Sequence, residues 1–271
     1  MSSRSLAGKR VLVAGASAGI GRAMAVRASK EGARVLMAAR RKDRLDETCA
    51  EAGGGEPVVA DVRRAEDCAR LAEAARDRLG GIDVLVVCVG VATLGMIADT
   101  SAEDWHRVFD TNVVGTHQLL QACAPVLAPR AMVMALSSET VRQPRTALGA
   151  YATSKAALDR LIEAWRAEHP QIRFTQVTVG ATFPTGFGSD FEPGLLTRAL
   201  NDWSVRGLAQ EEFMSPDDAA EVLLGVIASA TDHPGVGLDH LVIRSPSPVV
   251  GTFDNAVDRS AGGSPASPPA G

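Results

Sequence analysis

The feature that most restricts the fold of this chain is the regular alternation of short apolar segments with longer helical segments. The apolar segments are rich in valine and leucine and do not alternate with polar residues. Strands of this kind occur in parallel sheets that are covered on both faces. We predict strands at 10–15, 34–40, 57–62, 82–90, 131–138, 173–179 and 238–244. Helices between successive strands predict a single α/β domain, a doubly wound parallel β-sheet with helices on both faces.

The same pattern places the helices and the limits of the domain. Helical segments are predicted at 19–32, from the end of the second strand to about 52, at about 151–167 and from 216. Ser215 is the expected N-cap of the last helix, with Pro216 at its first position. The domain is expected to cover residues 1–244. Pro, Ser, Gly and Ala dominate residues 245–271, so we predict that this tail is disordered.

Composition and charge argue against several classes of protein. The formal net charge is -4, and the chain carries no Lys/Arg block, so we expect neither nucleic-acid binding nor adhesion to anionic membranes. Its longest uncharged apolar stretch has 15 residues, from Val84 to Ala98, which is too short to span a membrane. The N-terminus lacks the apolar core of a signal peptide. We therefore expect a soluble, cytoplasmic protein.

The cysteines and histidines show no pattern typical of a metal site or a redox motif. The four cysteines, Cys49, Cys68, Cys88 and Cys123, form no CxxC pair, and reduced structural thiols are expected. The five histidines show no HxxxH or HExxH spacing. No metal is therefore expected.

A glycine-rich turn follows the first predicted strand and opens the first helix. Its sequence, AGASAGIG at 14–21, contains Gly15, Ser17, Gly19, Ile20 and Gly21. These glycines permit a tight turn and let backbone amides approach an anion at the helix N-terminus. The alternative is a plain strand-to-helix turn. The order of strand, turn and helix is the one that a dinucleotide site requires, so we predict a Rossmann-type fold.

The end of the second strand bears on the choice of dinucleotide. NAD-binding proteins usually place a carboxylate there for the ribose 2′-hydroxyl, whereas this chain has Ala39 followed by Arg40 and Arg41. A guanidinium pairs well with a 2′-phosphate, so NADP(H) is favoured over NAD(H). The alternative for the two arginines is a solvated helix start. At the end of the third strand, Asp61 and Val62 are assigned to the cofactor site. Asp61 could accept a hydrogen bond from the adenine amine or could instead cap the next turn.

The single tyrosine of the chain, Tyr151, precedes Lys155 by four residues in a segment that favours helix. Residues at this spacing lie on one helix face. A phenol has a pKa of about 10, too high to exchange protons readily at neutral pH. The nearby ammonium should favour the phenolate. The pair therefore predicts a general acid/base, against the alternative of a core-edge ring and a surface charge.

Taken together, these motifs resemble the short-chain dehydrogenase/reductase family over residues 6–244. The resemblance rests on GASAGIG, on Asn112 in TNVVGT, on Ser138 in LSS, and on YATSK with Tyr151 and Lys155. It implies a catalytic tetrad of these four residues in a homotetramer or homodimer. Tyr151 would exchange the proton, Ser138 would hydrogen-bond the substrate oxygen, and Lys155 would also hold the cofactor ribose. Asn112 would help to position Lys155 through a water.

The resemblance also sets expectations for the substrate and for an alternative class of function. It implies hydride transfer between NADP(H) and a small carbonyl or secondary alcohol. The segment at 180–194 is predicted to cover the substrate. Its phenylalanines suggest an apolar substrate, and no charged residue is identified as a handle. The sequence departs from the family pattern at Ala14, at 87–90 and at Val179, although Gly90 still leaves room for cofactor. These departures leave a non-catalytic NADP(H)-binding or regulatory protein as the alternative.

Overall fold

The computed structural model describes residues 6–246, and within them a seven-stranded parallel sheet forms the centre of the fold. The strands are β1 (Arg10–Ala14), β2 (Arg34–Ala39), β3 (Glu56–Val59), β4 (Ile82–Val87), β5 (Leu127–Leu136), β6 (Arg173–Val179) and β7 (His240–Ile243). Their order is β3-β2-β1-β4-β5-β6-β7, and each neighbouring pair is parallel. The predicted Rossmann-type α/β fold is confirmed.

Helices cover both faces of this sheet. They are α1 (Gly19–Lys30), α2 (Lys42–Ala52), α3 (Ala65–Ala74), α4 (Ala102–Phe109), α5 (Gly115–Cys123), α6 (Gly149–Glu168), α7 (Pro193–Val205) and α8 (Pro216–Asp232). Ser215 caps α8, and its hydroxyl accepts the Asp218 amide as predicted. Among residues 6–246, no helix is long and apolar enough to cross a membrane.

Alternate residues of the central strands enter two separate cores. Val11 and Val13 pack with Met24 of α1 and Leu223 of α8 on one face. Leu12 contributes to the opposite core, as the two-residue period of a strand requires. The residues that fill this second core from α3, α5 and α6 include Leu71, Leu119 and Leu158. Because both faces are buried, the strands have the continuous apolar sequences from which the fold was predicted.

The strand order creates a crevice at the carboxyl edge of the sheet. The chain begins in β1, moves outward through β2 and β3, and then returns to β4 on the other side of β1. Ala14, the last residue of β1, pairs with Ala38 in β2 and with Val87 in β4. The connections that follow β1 and β4 therefore leave in opposite directions. Ligands of doubly wound sheets bind at such a switch point.

Several element boundaries differ from the prediction for identifiable reasons. β3 ends at Val59, because the Ala60 amide makes the last bond to Ala39 and the Asp61 amide donates to the Asp67 carboxylate instead. Asp61 and Val62 therefore lie in the turn after the strand. α6 begins at Gly149, so Tyr151 belongs to its first turn. Ser245 is buried, and residues 247–271 of the predicted tail lie outside the described residues.

Candidate active site

A cavity of about 540 Å³ occupies the switch-point crevice and extends from the glycine-rich turn to Tyr151. With the exception of Asn112, every residue that the sequence assigned to the cofactor or to catalysis lines this cavity. These residues are Gly15, Ser17, Gly19, Ile20, Gly21, Arg40, Arg41, Asp61, Val62, Gly90, Ser138, Tyr151 and Lys155. Residues spread over more than half the chain thus meet at one edge of the sheet.

The glycine-rich turn is packed too closely to carry side chains at two positions. A Cβ at Gly15, where φ is +93°, would lie 2.8 Å from the Cys88 carbonyl group. A Cβ at Gly21 would overlap the Gly15 carbonyl oxygen and lie 2.9 Å from the Cys88 Cβ. The first turn of α1 contains no acidic residue, and no side chain caps it. Its amides can therefore hold an anion such as a pyrophosphate.

The two arginines after β2 lie at the rim of the cavity beside this turn. Both are exposed, and the Arg41 guanidinium lies 3.4 Å from the Ser17 hydroxyl. Asp61 lines the same end, but its carboxylate pairs with Arg63 and accepts the Arg63 amide at 3.1 Å. This pairing lowers the pKa of Asp61. The carboxylate thus caps its own turn, as one of the two sequence interpretations proposed.

Asn112 lies behind the cavity and joins two segments of its wall. It is fully buried in a π-helical turn at 110–114, between α4 and α5. Its Oδ1 accepts the Val91 amide at 2.8 Å, and its Nδ2 donates to the Val91 carbonyl and to Ser154, both at 2.9 Å. Single π turns inside helices are frequent at functional sites. Here the turn directs the amide at the loop that follows β4.

Tyr151, Lys155 and Ser138 converge on the other end of the cavity. The Lys155 ammonium lies 6.0 Å from the centroid of the Tyr151 ring and donates to the Leu136 carbonyl at 2.8 Å. The Ser138 hydroxyl accepts both the amide and the hydroxyl of Thr140, at 3.2 and 2.9 Å. Its own hydrogen is therefore free to be donated to another oxygen.

The burial of these groups opposes the charged forms that the sequence analysis expected. Burial raises the pKa of Tyr151 to about 12, although a hydrogen bond with Ser138 acts in the opposite direction. Burial also lowers the pKa of Lys155 to about 8, against the attraction of Asp159. The chain alone therefore does not lower the phenol pKa as the sequence predicted, because desolvation of Tyr151 is the largest effect.

Aromatic side chains from the predicted covering segment lie over this end. The Phe187 ring contacts Tyr151 edge-on with centroids 5.2 Å apart, and Phe191 contacts Phe187 at 5.5 Å. Thr185 approaches the glycine-rich turn, since a Cβ at Gly19 would lie 3.4 Å from the Thr185 Cβ. The segment thus spans both ends of the cavity.

A charged pair that the sequence motifs did not reveal lies in the same wall. Glu139 and Arg145 line the cavity and form an ion pair in which the side chains are only 15% and 10% exposed. The Arg145 guanidinium lies 5.5 Å from the centroid of the Trp203 ring in α7. The sequence feature that could have identified this pair is its position, because both residues lie between Ser138 and Tyr151. Within residues 6–246, no group of three or more His, Cys, Asp or Glu is placed to hold a metal.

Comparison with known proteins agrees with this geometry. The sequence profile of the short chain dehydrogenase family matches residues 9–196. A short-chain type dehydrogenase/reductase from Mycobacterium marinum superposes with a TM-score of 0.76 at 26% identity, covering 89% of this chain and 95% of that protein.

Named relatives match over much of this chain but are longer proteins. Glycine betaine reductase ATRR of Emericella nidulans is 33% identical over 81% of this chain, which corresponds to 17% of the relative. The 11-beta-hydroxysteroid dehydrogenase A of Sesamum indicum is 35% identical over 66% of this chain and 53% of the relative. The chain thus spans less than two thirds of the length of either protein.

Proposed function

Because the chain belongs to the short-chain dehydrogenase family, we propose that it is an NADP(H)-dependent oxidoreductase that interconverts a carbonyl compound and a secondary alcohol. The observation that carries this proposal is the convergence of Ser138, Tyr151 and Lys155 on the cavity into which the glycine-rich turn opens. A site for a dinucleotide and a set of proton-exchanging groups share one enclosed space. This arrangement suits hydride transfer.

The walls of the cavity fit a nicotinamide dinucleotide. Gly15 and Gly21 keep side chains away from the uncapped start of α1, where a pyrophosphate would be held. Arg40 and Arg41 would pair with a 2′-phosphate, which supports the preference for NADP(H). At Gly90, a Cβ would lie 3.2 Å from the Lys155 ammonium. Its absence leaves room for a ribose to reach that lysine.

The bound cofactor would supply a hydride to the carbonyl carbon in reduction and accept it from the alcohol in oxidation. During reduction, Tyr151 donates its phenolic proton to the carbonyl oxygen, and Ser138 donates a hydrogen bond to the same oxygen. Lys155 holds its ammonium near the phenol and stabilises the phenolate that remains. Burial keeps the phenol protonated, so the proton that reduction needs is present on Tyr151.

The first test is to measure dissociation constants of the purified full chain for NADPH and NADH by tryptophan quenching or calorimetry. Carbonyl compounds are then screened for oxidation of the bound nucleotide. Tyr151→Phe should reduce turnover by at least about 100-fold, because it removes a general acid, while the dissociation constant for NADPH stays within about twofold. Thr153→Ala is the matched control, since this hydroxyl is exposed in the same helix and bonds only its own turn.

Each alternative outcome has a distinct meaning. Binding of NADPH without turnover of any carbonyl would favour the non-catalytic, cofactor-sensing function. If neither nucleotide binds, the cofactor proposal is wrong. Undiminished turnover in Tyr151→Phe would exclude the proposed acid.

A further inference from the structure

We propose that Arg145 binds an anionic group of the substrate, so that the preferred substrate is a carbonyl compound, or its alcohol, that carries a carboxylate. This inference rests on the proposed oxidoreductase function and names its substrate class. It adds a charged handle to the apolar substrate that the sequence suggests.

The first support is the position of Arg145 relative to the reacting groups. Ser138 is followed directly by Glu139, and the Glu139–Arg145 pair reaches back across the loop that leads to Tyr151. Both charges act on the phenol electrostatically, Glu139 raising its pKa and Arg145 lowering it. Ser138, Arg145 and Tyr151 line the same cavity, so a group held by Arg145 would belong to a molecule whose carbonyl lies at Tyr151.

The second support is the unfilled hydrogen-bonding capacity of the guanidinium. The side chain of Arg145 is 10% exposed, and one of its N–H groups pairs with Glu139. Its Nε is buried and has no hydrogen-bond partner. A buried donor left in this state costs about 1–3 kcal/mol, and a substrate acceptor reaches it when the side chain shifts toward the cavity that Arg145 lines. The planar fork of arginine matches the two oxygens of a carboxylate.

The third support is the way in which the guanidinium is held. Its carbon lies 5.5 Å from the Trp203 ring centroid, and the Trp203 indole donates to the Thr146 carbonyl at 3.0 Å. Thr146 is in turn bonded to Asp202 in α7. Arg145 and Thr146 of the loop thus contact Trp203 and Asp202 of α7, and these contacts fix the loop against the helix. A cation that is fixed before binding loses little entropy when a ligand arrives.

Glu139 does not prevent this role. Its carboxylate occupies one edge of the guanidinium and keeps the buried arginine paired when no substrate is bound, which avoids the cost of an isolated charge. Arginine has five N–H donors, so it can contact a second carboxylate. Glu139 therefore weakens anion binding without blocking it, and its removal should strengthen that binding.

The test compares benzoylpropionate and the longer benzoylbutyrate, each with its methyl ester, as substrates of the full chain with NADPH. The wild type should prefer the acid over the ester in kcat/KM. Arg145→Gln should reduce that preference by about 10- to 100-fold, the range for a hydrogen bond to a charged group. Arg145→Lys should retain part of it, and Glu139→Gln should keep or increase it. Arg142→Gln is the control, because Arg142 is an exposed arginine three residues earlier.

A binding measurement separates failure of this inference from failure of the proposed function. Phenylbutyrate, which has the carboxylate but no ketone, is titrated calorimetrically into wild type and Arg145→Gln. Weaker binding to the variant by about tenfold or more supports the inference even without turnover. Equal binding, or none to the wild type, would overturn it. An equal loss of turnover with acids and esters in Arg145→Gln would also overturn it, since the Glu139–Arg145 ion pair would then only stabilise the structure.

Discussion

Asn112 donates its side-chain amide to the Ser154 hydroxyl at 2.9 Å, and this bond joins the π turn to the helix that carries Tyr151 and Lys155. Through its other two bonds, Asn112 fixes both backbone groups of Val91, the residue after Gly90. One buried amide therefore holds the loop after β4 against α6. Because Lys155 lies in α6, we expect Asn112 to position it through these bonds.

We predict that Asn112→Asp lowers both stability and cofactor affinity. The carboxylate can still accept the Val91 amide, but it cannot donate to Val91 or Ser154, and a buried charge results. The free energy of unfolding should fall by about 3 kcal/mol or more, measured by urea denaturation. Ser154→Ala removes only one partner and should cost about 1 kcal/mol. Equal effects of the two variants would contradict the assigned framework role.

The pKa of Lys155 gives a prediction with a defined sign. Burial lowers this pKa from its ordinary value of 10.5 to about 8. Between these values the unfolded chain binds more protons than the folded one, so this residue makes stability rise with pH. Lys155→Met should therefore be more stabilising, relative to wild type, at pH 7 than near pH 10.5.

The difference in unfolding free energy between Lys155→Met and wild type should change by on the order of 3 kcal/mol between the two pH values, which is the free-energy equivalent of the pKa shift of Lys155. It is measured by urea unfolding of both cofactor-free proteins at several pH values. Titration of groups that do not interact with Lys155, such as Cys123, is common to both proteins and cancels, whereas the titration of Cys88 depends partly on Lys155. A difference that does not vary with pH would show that the buried lysine is not destabilised as an ammonium.

The sequence was sufficient to predict the fold and most residues that line the cavity, for a physical reason. Both depend on local patterns: apolar strands buried on two faces, and glycines where a strand turns into a helix. The order of elements then brings Gly15, Arg40 and Tyr151 to one edge of the sheet. Even Asn112, which does not line the cavity, lies directly behind it.

The properties that the sequence did not predict depend on three-dimensional surroundings. A fall in the pKa of Tyr151 was expected, but burial, which a spacing of four residues does not show, raises it. In the sequence Arg145 is an ordinary loop residue, and only the fold brings Trp203 of α7 against its guanidinium. Asp61 is paired by Arg63, two residues later, although either role suited its position after the strand.

The arginines at the cavity rim predict cofactor selectivity. Arg40→Ala should weaken NADPH binding by about tenfold, the value of a charge-assisted bond, and should change NADH binding little. Added salt should reduce the preference, since both arginines are exposed. Arg44→Ala is the control, because Arg44 is an exposed arginine that pairs with Glu47. Equal weakening of both nucleotides, measured by calorimetry, would remove Arg40 from the 2′-phosphate site.

The glycine-rich turn yields a prediction with a matched glycine control. Gly21→Ala places a methyl group against the Gly15 carbonyl and the Cys88 Cβ, and backbone atoms cannot move aside cheaply. We expect a loss of stability of about 1–3 kcal/mol and a dissociation constant for NADPH raised at least about tenfold, since the turn must open where the anion binds.

Gly54→Ala should change neither quantity appreciably. A Cβ at Gly54 meets no atom within 4 Å, and its backbone does not adopt a positive φ. Both variants are compared by thermal unfolding and by NADPH titration. If Gly21→Ala retains the wild-type affinity, the phosphates do not lie on this turn, and the cofactor must be held elsewhere along the crevice.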